Sequence, residues 1–162
     1  MNDVEQIMKQ EYYRNCILTI EKTLLEHPER IFGNQDIVTA QGDNPLCPLK
    51  HSFIGDRYIR EIFIPAGCMI VGKIHKTDHP IFLMSGKIRI LDEFKGESLL
   101  EAPMTICSMA GSKRVGLAVE DTVWVEVLPN PNGHKQICDE LEDELIAKNY
   151  SEIECVERKA VV

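Results

Sequence analysis

The sequence predicts a mainly β protein, with one antiparallel β-barrel flanked by an N-terminal and a C-terminal helix. Residues 53–128 form a series of short apolar segments separated by turn-forming residues, which is typical of an antiparallel barrel or sandwich. Both flanks instead repeat apolar residues at three- and four-residue steps, the spacing of a helix. A length of 162 residues fits a single domain. We therefore divide the chain into residues 1–52, 53–128 and 129–162.

The N-terminal helix is predicted from Asp3 to about His27. Its apolar residues recur at helical spacing, with charged residues between them: Val4, Ile7, Met8, Tyr12, Ile17, Leu18, Leu24 and Leu25. The segment that follows, from about Pro28 to Ser52, has weaker periodicity and contains the helix and strand breakers Gly33, Gly42, Pro45 and Pro48. We expect a long irregular connection there, either a loop that contacts a partner or a linker.

About eight short strands are predicted in the middle of the chain. The first, Arg57–Ile64, alternates apolar and polar residues and stops at the turn-forming Pro65-Ala66-Gly67. The others are 68–74, 81–84, 87–91, 98–101, 105–109, 115–119 and 122–128. Because an open sheet leaves edge strands that pair with other chains, we expect these strands to close into a barrel.

The C-terminal helix is predicted over about residues 134–149. Its apolar stripe is formed by Ile137, Leu141, Leu145 and Ile146, and its opposite face is acidic. The two terminal helices carry more apolar surface than one barrel wall needs. We therefore expect a homo-oligomer, most simply a two-fold symmetric homodimer.

Composition narrows the functional classes. The 26 acidic against 18 basic residues give a net charge of −8, which argues against binding of nucleic acid polymers. No segment approaches the ~18 apolar residues that span a bilayer, and the polar N-terminus does not resemble a secretory signal. We expect a cytoplasmic protein without a membrane partner. The six cysteines are scattered without a C-x-x-C pair, so we expect reduced thiols.

One motif lies between Pro65 and Gly86. Gly67 is followed by the run Gly-Lys-Ile-His-Lys at residues 72–76, then by His79 and by Gly86. This pattern resembles the first motif of the cupin family, in which a glycine, a His-x-His pair, a glutamate and a glycine turn succeed one another. The resemblance covers about 75 residues and implies a jelly-roll barrel.

The same resemblance implies where a cupin would hold its metal ligands. The two histidine positions fall on Lys73 and His75, and the glutamate position falls on His79. The second cupin motif is approximated by residues 109–114, which places Arg114 at the position of the last ligand.

More narrowly, several runs are similar to small cupin-like proteins of bacteriophages and prophages, most of which have no assigned activity. These runs are 60–65, 72–76, 102–103, 110–114 and 120–124. The similarity implies a location in the cytoplasm of a host cell. In that group a histidine often precedes the Glu-Asp-Thr run, whereas Val119 stands here.

The residues themselves argue against a metal. A catalytic first-row metal needs three or four converging His or carboxylate ligands. This segment offers only His75 and His79, and the cations Lys73 and Arg114 would repel a metal ion. We therefore predict no metal and no other cofactor. In the simplest interpretation His75 is a hydrogen-bonded histidine lining the barrel, and His79 is an exposed loop residue.

The replaced ligand positions supply positive charge instead. Alternation places Lys73 and His75 on one face of a strand. The cupin resemblance implies that this face looks into the barrel, where Arg114 enters from the facing strand, next to Lys113. Buried cations need an anionic partner, which is either an internal carboxylate such as Glu120 or Asp121, or a ligand.

We predict that Lys73, His75, Lys113, Arg114 and Glu120 form a site for a small anion, with nucleotide-like molecules among the options. In this hypothesis the protein binds or sequesters its ligand without catalysis. Two alternatives stay open. One is a metal-dependent cupin enzyme that uses His75 and His79, and the other is a scaffold in virion assembly.

Overall fold

The computed structural model describes residues 3–26 and 47–153 of the chain. Helix α1 spans Asp3–Glu26. The strands that follow are β1 (Leu49–Ile54), β2 (Arg57–Ile64), β3 (Met69–Val71), β4 (Ile74–His75), β5 (His79–Ser85), β6 (Lys87–Asp92), β7 (Gly96–Glu101), β8 (Met104–Ser108), β9 (Arg114–Ala118) and β10 (Thr122–Pro129). Helix α2 (Asp139–Leu145), strand β11 (Ile146–Ala147) and a 3-10 turn (Tyr150–Glu152) end the described chain.

The prediction of a mainly β, antiparallel fold is confirmed, but the strands do not close into one barrel. Within the described residues they form a five-stranded sheet, in the order β1-β2-β10-β5-β8, and a four-stranded sheet, β3-β9-β6-β7. A separate two-stranded ladder pairs β11 with β4. Every pairing is antiparallel.

The core explains why the two sheets face each other. The five-stranded sheet contributes Ile62, Ile81, Leu83 and Trp124, and the four-stranded sheet contributes Ile88, Ile90 and Ala118 to the same apolar cluster. These side chains come from alternate positions of each strand, so each sheet buries one face against the other. The result is a two-layer sandwich with a shared interior.

Two glycines of the predicted motif are required by the backbone. Gly67 has a φ of +84° in the turn after β2, and Gly86 has a φ of +83° between β5 and β6. A Cβ at Gly86 would lie 2.2 Å from the carbonyl oxygen of Asp121. Both the left-handed conformation and this close approach restrict the position to glycine.

The terminal elements differ in how well the sequence predicts them. Helix α1 covers almost all of its predicted range, whereas α2 has only 7 residues. The predicted second helix is cut short because Ile146 pairs with His75 and Ala147 with Ile74, so the chain becomes extended there. Strand β1 begins at Leu49, in a stretch predicted as irregular. The remainder of that stretch, residues 27–46, lies outside the described residues.

Helix α1 packs on the four-stranded sheet through its second half. Ile17 is fully buried, and Ile20 and Leu24 lie against Val71 and Val115. Several apolar side chains of α1 are exposed in the described chain: Val4, Ile7, Met8, Tyr12 and Leu18. Self-association through this helix stays a prediction, which light scattering of the purified chain would test.

Two further features bear on the predictions from composition. Neither described helix is long and apolar enough to cross a bilayer. The five cysteines within the described residues are free thiols; Cys47 is buried and Cys107 is exposed.

Candidate functional site

A small cavity lies between the two sheets and has a volume of about 50 Å³, which is room for a few water-sized groups. Gly116 keeps part of it open, since a Cβ there would lie 3.0 Å from Cδ1 of Ile88. Its lining combines apolar and charged side chains. The apolar ones are Ile62, Ile70, Ile88, Ile90 and Trp124, and the polar or charged ones are Arg60, Lys73, His75, Arg114 and Glu126.

A buried ion pair lies among the charged residues that line the cavity. Arg60 of β2 and Glu126 of β10 are direct cross-strand neighbours, and both side chains point into the sandwich. The Arg60 guanidinium donates a hydrogen bond to Oε2 of Glu126. Trp124, on the same face of β10, donates Nε1–H to the other carboxylate oxygen at 3.3 Å. The carboxylate of Glu126 is thus held in one orientation.

Two histidines lie beside this carboxylate. His75 ends β4, where its backbone pairs with Ile146 and its carbonyl accepts a hydrogen bond from the amide of Gly111 at 2.8 Å. His79 begins β5 and is 4% exposed, so its interpretation as an exposed loop residue is wrong. The two ring centroids are 4.6 Å apart. The short connection between β4 and β5 brings the rings together inside the fold.

One donor atom from each of His75, His79 and Glu126 lies within 4.8 Å of the other two, and all three residues are buried. We call these three residues the two-histidine site. The Nε2 atom of His75 is 3.9 Å from Oε2 of Glu126, too far for a hydrogen bond. Within the described chain, Nδ1 of His75 and Nε2 of His79 are buried without a hydrogen-bond partner. Buried nitrogens of this kind are uncommon in folded proteins and require an explanation.

The hydrogen bond of His79 determines its tautomer. Its Nδ1 lies 3.0 Å from the carbonyl oxygen of Thr77, which can only accept a hydrogen bond. In the neutral ring Nδ1 therefore carries the proton, and Nε2 presents a lone pair. A backbone carbonyl on one nitrogen with the other nitrogen left free is the usual arrangement of a metal-binding histidine.

Electrostatics keep these groups in the forms that bind metals. Burial lowers the pKa of His75 to about 3, so the ring is neutral at pH 7. Burial also lowers the pKa of His79. Burial alone would raise the pKa of Glu126, but the charge of Arg60 outweighs it and holds the pKa below its ordinary value. The site therefore combines two neutral imidazoles with one carboxylate.

The structure brings three of the predicted anion-site residues to one cavity. Lys73, His75 and Arg114 all line it. Lys73, however, donates to Glu142 of α2. Arg114 donates Nε–H to Asp92 at 2.6 Å and Nη1–H to Ser108 at 2.9 Å. The internal partners of these cations are thus Glu142 and Asp92, and not the expected Glu120 or Asp121.

The other two predicted residues lie elsewhere. The ammonium of Lys113 points away toward α1, where it contacts Glu21 at 2.8 Å. Glu120 is exposed near the end of β9 and lies 3.6 Å from Lys87. Although Lys113 and Arg114 are adjacent, alternation along the chain sends their side chains in different directions.

Sequence reasoning missed Glu126 and Arg60. Both occupy inward positions of strands whose other inward residues are mostly apolar or aromatic: Tyr58, Ile62 and Ile64 in β2, and Trp124 and Leu128 beside Thr122 in β10. A charged residue at such a position is a detectable signal, because it must find a partner inside the fold. Finding that partner requires the pairing of β2 with β10, which are far apart in the chain.

Comparison with known proteins identifies no family for this chain. No family model and no curated protein match it. Among solved structures it is similar to KdgF from Halomonas sp., at 12% identity over 54% of this chain and 83% of that one, with a TM-score of 0.47. It is also similar to ectoine synthase from P. lautus, at 13% identity over 55% of this chain and 67% of that one, with a TM-score of 0.48. A third similar structure is a cupin-2 domain protein from Shewanella frigidimarina, at 14% identity over 49% of this chain and 79% of that one, with a TM-score of 0.41.

One of the three, the protein from Shewanella frigidimarina, contains a cupin-2 domain. With TM-scores below 0.5, none of the three supports an argument about this chain. None of the three names a bacteriophage, and the phage origin stays an implication of sequence resemblance. The function is therefore argued from the residues of the chain itself.

Proposed function

We propose that this protein binds a divalent transition-metal ion through His75, His79 and Glu126, next to a cavity that admits a small molecule. One observation carries the proposal: three donor groups converge within 4.8 Å in a buried site, and two imidazole nitrogens there have no partner among the described residues. A metal ion would use one lone pair of each imidazole together with the carboxylate charge.

The donor set fits such an ion. Two imidazoles and one carboxylate suit iron, zinc and related metals, whereas magnesium and calcium prefer oxygen ligands alone. Glu126 can take part although Arg60 and Trp124 already donate to it, because a carboxylate offers about four lone-pair positions. The four-ligand set implied by the cupin resemblance does not fit, since Lys73 and Arg114 are engaged with carboxylates.

Three protein ligands leave coordination positions open. Structural zinc sites use four protein ligands, and catalytic sites use three plus water or substrate. A metal in this position would act as a Lewis acid toward an oxygen atom of a molecule in the cavity. The chain itself holds the three ligands in place and confines the molecule against the isoleucine side chains that line the cavity. It also places Arg60 beside the carboxylate of Glu126. The proposal therefore favours the metal-dependent alternative over a purely non-catalytic binder.

Metal binding can be tested directly. Protein freed of metal with a chelator is titrated with Zn²⁺ or with Fe²⁺ under exclusion of oxygen, and bound metal is measured by elemental analysis. We expect one equivalent per chain, with binding lost in His79→Ala and in Glu126→Gln. His51→Ala is the matched control, because His51 of β1 contacts Tyr58 of β2 at 2.7 Å and belongs to no ligand group among the described residues. Absence of binding, or equal binding by all variants, overturns the proposal.

Binding of a small anion is the second candidate. It is favoured by the three cationic residues Arg60, Lys73 and Arg114, which all line the cavity. It is opposed by their pairing with Glu126, Glu142 and Asp92, which balances the charge. An anion would have to replace one of these carboxylates, at the cost of leaving it unpaired.

A thermal-shift screen separates the two candidates. Metal-free protein is heated with inorganic phosphate, nucleotides or small carboxylates. A rise in melting temperature that is lost in Lys73→Ala and Arg114→Ala but kept in His79→Ala would establish the anion site. If only metal ions stabilise the protein, the metal site is the function of the cavity.

A further inference from the structure

A second group of chemically reactive side chains lies outside the sandwich, at the start of α2. Sγ of Cys138 is 3.4 Å from Nδ1 of His134, and Nε2 of the same ring is 3.0 Å from Oε1 of Glu144. We call Cys138, His134 and Glu144 the thiol triad. We propose that it is a nucleophilic centre at which Cys138 reacts with small disulfides. This inference is independent of the proposed metal function.

The order of contacts fits activation of the thiol. Glu144 can only accept a hydrogen bond when ionised, and the hydrogen bonds from His134 and Asn132 hold its pKa below the ordinary value. His134 therefore donates Nε2–H to it and presents the lone pair of Nδ1 to Cys138. A thiol beside an imidazole that a third group orients is the arrangement of an activated nucleophile.

The ring of His134 is held in place by the loop that carries it. Asn130 is fully buried; its side chain donates to the carbonyl of His134 and accepts from its amide, both at 2.9 Å. A turn at Gly133, with φ of +65°, closes the loop. Asn132 also donates to Oε1 of Glu144 at 2.7 Å. These contacts fix the triad before any reactant arrives, which is what an efficient site requires.

The geometry argues against a second metal site here. The two nitrogens of His134 face different partners, the thiol on one side and the carboxylate on the other. Sulfur, nitrogen and oxygen donors therefore do not surround one point, in contrast to the two-histidine site. A chain of contacts from carboxylate to thiol suits transfer of a proton better than coordination of an ion.

A disulfide is the electrophile that this triad can handle. Cys138 gives its proton to His134, and the thiolate sulfur attacks one sulfur of the disulfide. The new bond joins Sγ to that sulfur, the original sulfur–sulfur bond breaks, and the departing sulfur takes the proton from His134. Cys138 is oxidised to a mixed disulfide and one half of the reactant is reduced to a free thiol. The leaving sulfur carries its own charge, so no oxyanion-stabilising donors are needed, as they would be for a carbonyl.

The test uses the full chain, reduced and treated with a chelator, with glutathione disulfide as the probe. After short reaction times the mixture is acidified and digested, and mass spectrometry measures the modified fraction of each cysteine. We expect Cys138, which is only partly exposed, to react at least about threefold faster than the exposed Cys107. Cys47 is 1% exposed and stays unmodified while the protein is folded, so it reports on folding in every variant.

Variants distinguish activation from simple packing. His134→Asn should lower the rate at Cys138 at least threefold and leave Cys107 unchanged. Glu144→Gln should lower it less, because Glu144 acts only by positioning the ring. If the triad merely clamps the loop, either substitution would loosen the segment and raise the rate at Cys138.

Three results would overturn the proposal: a Cys138 that reacts no faster than Cys107, an unchanged rate in His134→Asn, or a raised rate in both variants. If His134→Asn exposes Cys47, His134→Gln replaces it. Because the reaction is run on chelator-treated protein, failure of one proposal does not imply failure of the other.

Discussion

Two polar clusters lie in the interior of this sandwich, and they differ in how completely their groups are satisfied. At the end of β6, Asp92 accepts hydrogen bonds from the amides of Phe94 and Lys95 through one oxygen. Its other oxygen accepts from Ser112 and from Arg114. The two-histidine site, by contrast, retains two buried nitrogens without a described partner.

The comparison distinguishes polar groups whose hydrogen bonds are all made within the fold from polar groups that are left to bind something else. Every carboxylate oxygen of Asp92 is used by the fold, and the same holds for the adjacent Glu93, which accepts from Lys113 N–H at 2.9 Å and from Arg14 at 2.8 Å. Such groups specify the position of a turn. Unsatisfied groups cost free energy in the isolated fold, so they are retained where something else binds them. This contrast is the reason why we propose a ligand at the histidines and not at the more numerous charges.

The largest effect should follow from breaking the satisfied cluster. Asp92→Ala leaves the guanidinium of Arg114, which is 14% exposed, without its carboxylate. We expect a loss of about 3–5 kcal/mol in the free energy of unfolding, measured by urea denaturation. Asp121→Ala is the control: Asp121 accepts a hydrogen bond from Ala66 at an exposed turn, and its loss should cost about 1 kcal/mol or less. Equal losses in the two variants would contradict the distinction.

Metal should stabilise the unsatisfied cluster. An ion present at about one hundred times its dissociation constant adds about 2.7 kcal/mol to the free energy of unfolding. Thermal unfolding with and without Zn²⁺ measures this gain. The gain should vanish in His79→Ala and persist in His51→Ala. A gain of the same size in both variants would locate the ion elsewhere.

The metal-free protein should lose stability in mild acid. In the unfolded chain a histidine titrates near pH 6.5, whereas the pKa of His75 in the fold is about 3. Below about pH 6.5 the unfolded state therefore binds more protons than the folded state, and stability falls as the pH decreases toward 3. One unit below 6.5 this histidine alone accounts for roughly 1 kcal/mol, and His79, whose pKa is also lowered, acts in the same direction.

Urea denaturation at a series of pH values measures this slope. In His75→Leu the slope between about pH 6.5 and 5 should be shallower, because one of the two histidines is gone. A slope that is identical in the wild type and in this variant would show that His75 does not titrate as its burial requires.

The smallest effect should come from replacing His75 itself at neutral pH without metal. Its Nδ1 has no described partner and its Nε2 is 3.9 Å from Glu126, so His75→Leu removes no hydrogen bond of its side chain. We expect a change of less than about 1 kcal/mol in the free energy of unfolding, of either sign. A loss comparable to that of Asp92→Ala would instead assign His75 a structural role.

What the sequence could predict depended on short-range patterns. Alternation located most strands because each buries one face, and Gly86 was recognised as a turn because the turn permits little else. Lys73 and His75, expected on one face of a strand, both line the cavity, although Lys73 lies between β3 and β4 and not in a strand. Helix α2 was predicted too long because its helical periodicity continues through Ile146, where pairing with β4 prevails over local preference.

The candidate site could not be predicted because its third member comes from a distant strand. Glu126 meets Arg60 through pairing of β10 with β2, and it meets the histidines only because β5 is the other neighbour of β10. The cations looked available for a ligand because their partners, Asp92 and Glu142, lie far away in the chain. Pairings between distant segments depend on topology, which local patterns do not reveal.

The ladder of β11 and β4 connects the last described strand of the chain to His75 in the interior. Ile146 holds the backbone of His75, and the amide of Lys76 donates to the carbonyl of Leu145 at 2.8 Å. This ladder is short and separate from the two large sheets, so it can open while they stay intact. A protein shortened to end at Leu128 would lose this ladder, and a fusion partner attached near α2 would strain it. In both cases most of the core would remain, but the backbone position of His75 would no longer be fixed. Amide hydrogen exchange at Ile74 and His75 would detect opening of this ladder, and with it displacement of His75, more sensitively than thermal unfolding of the whole protein.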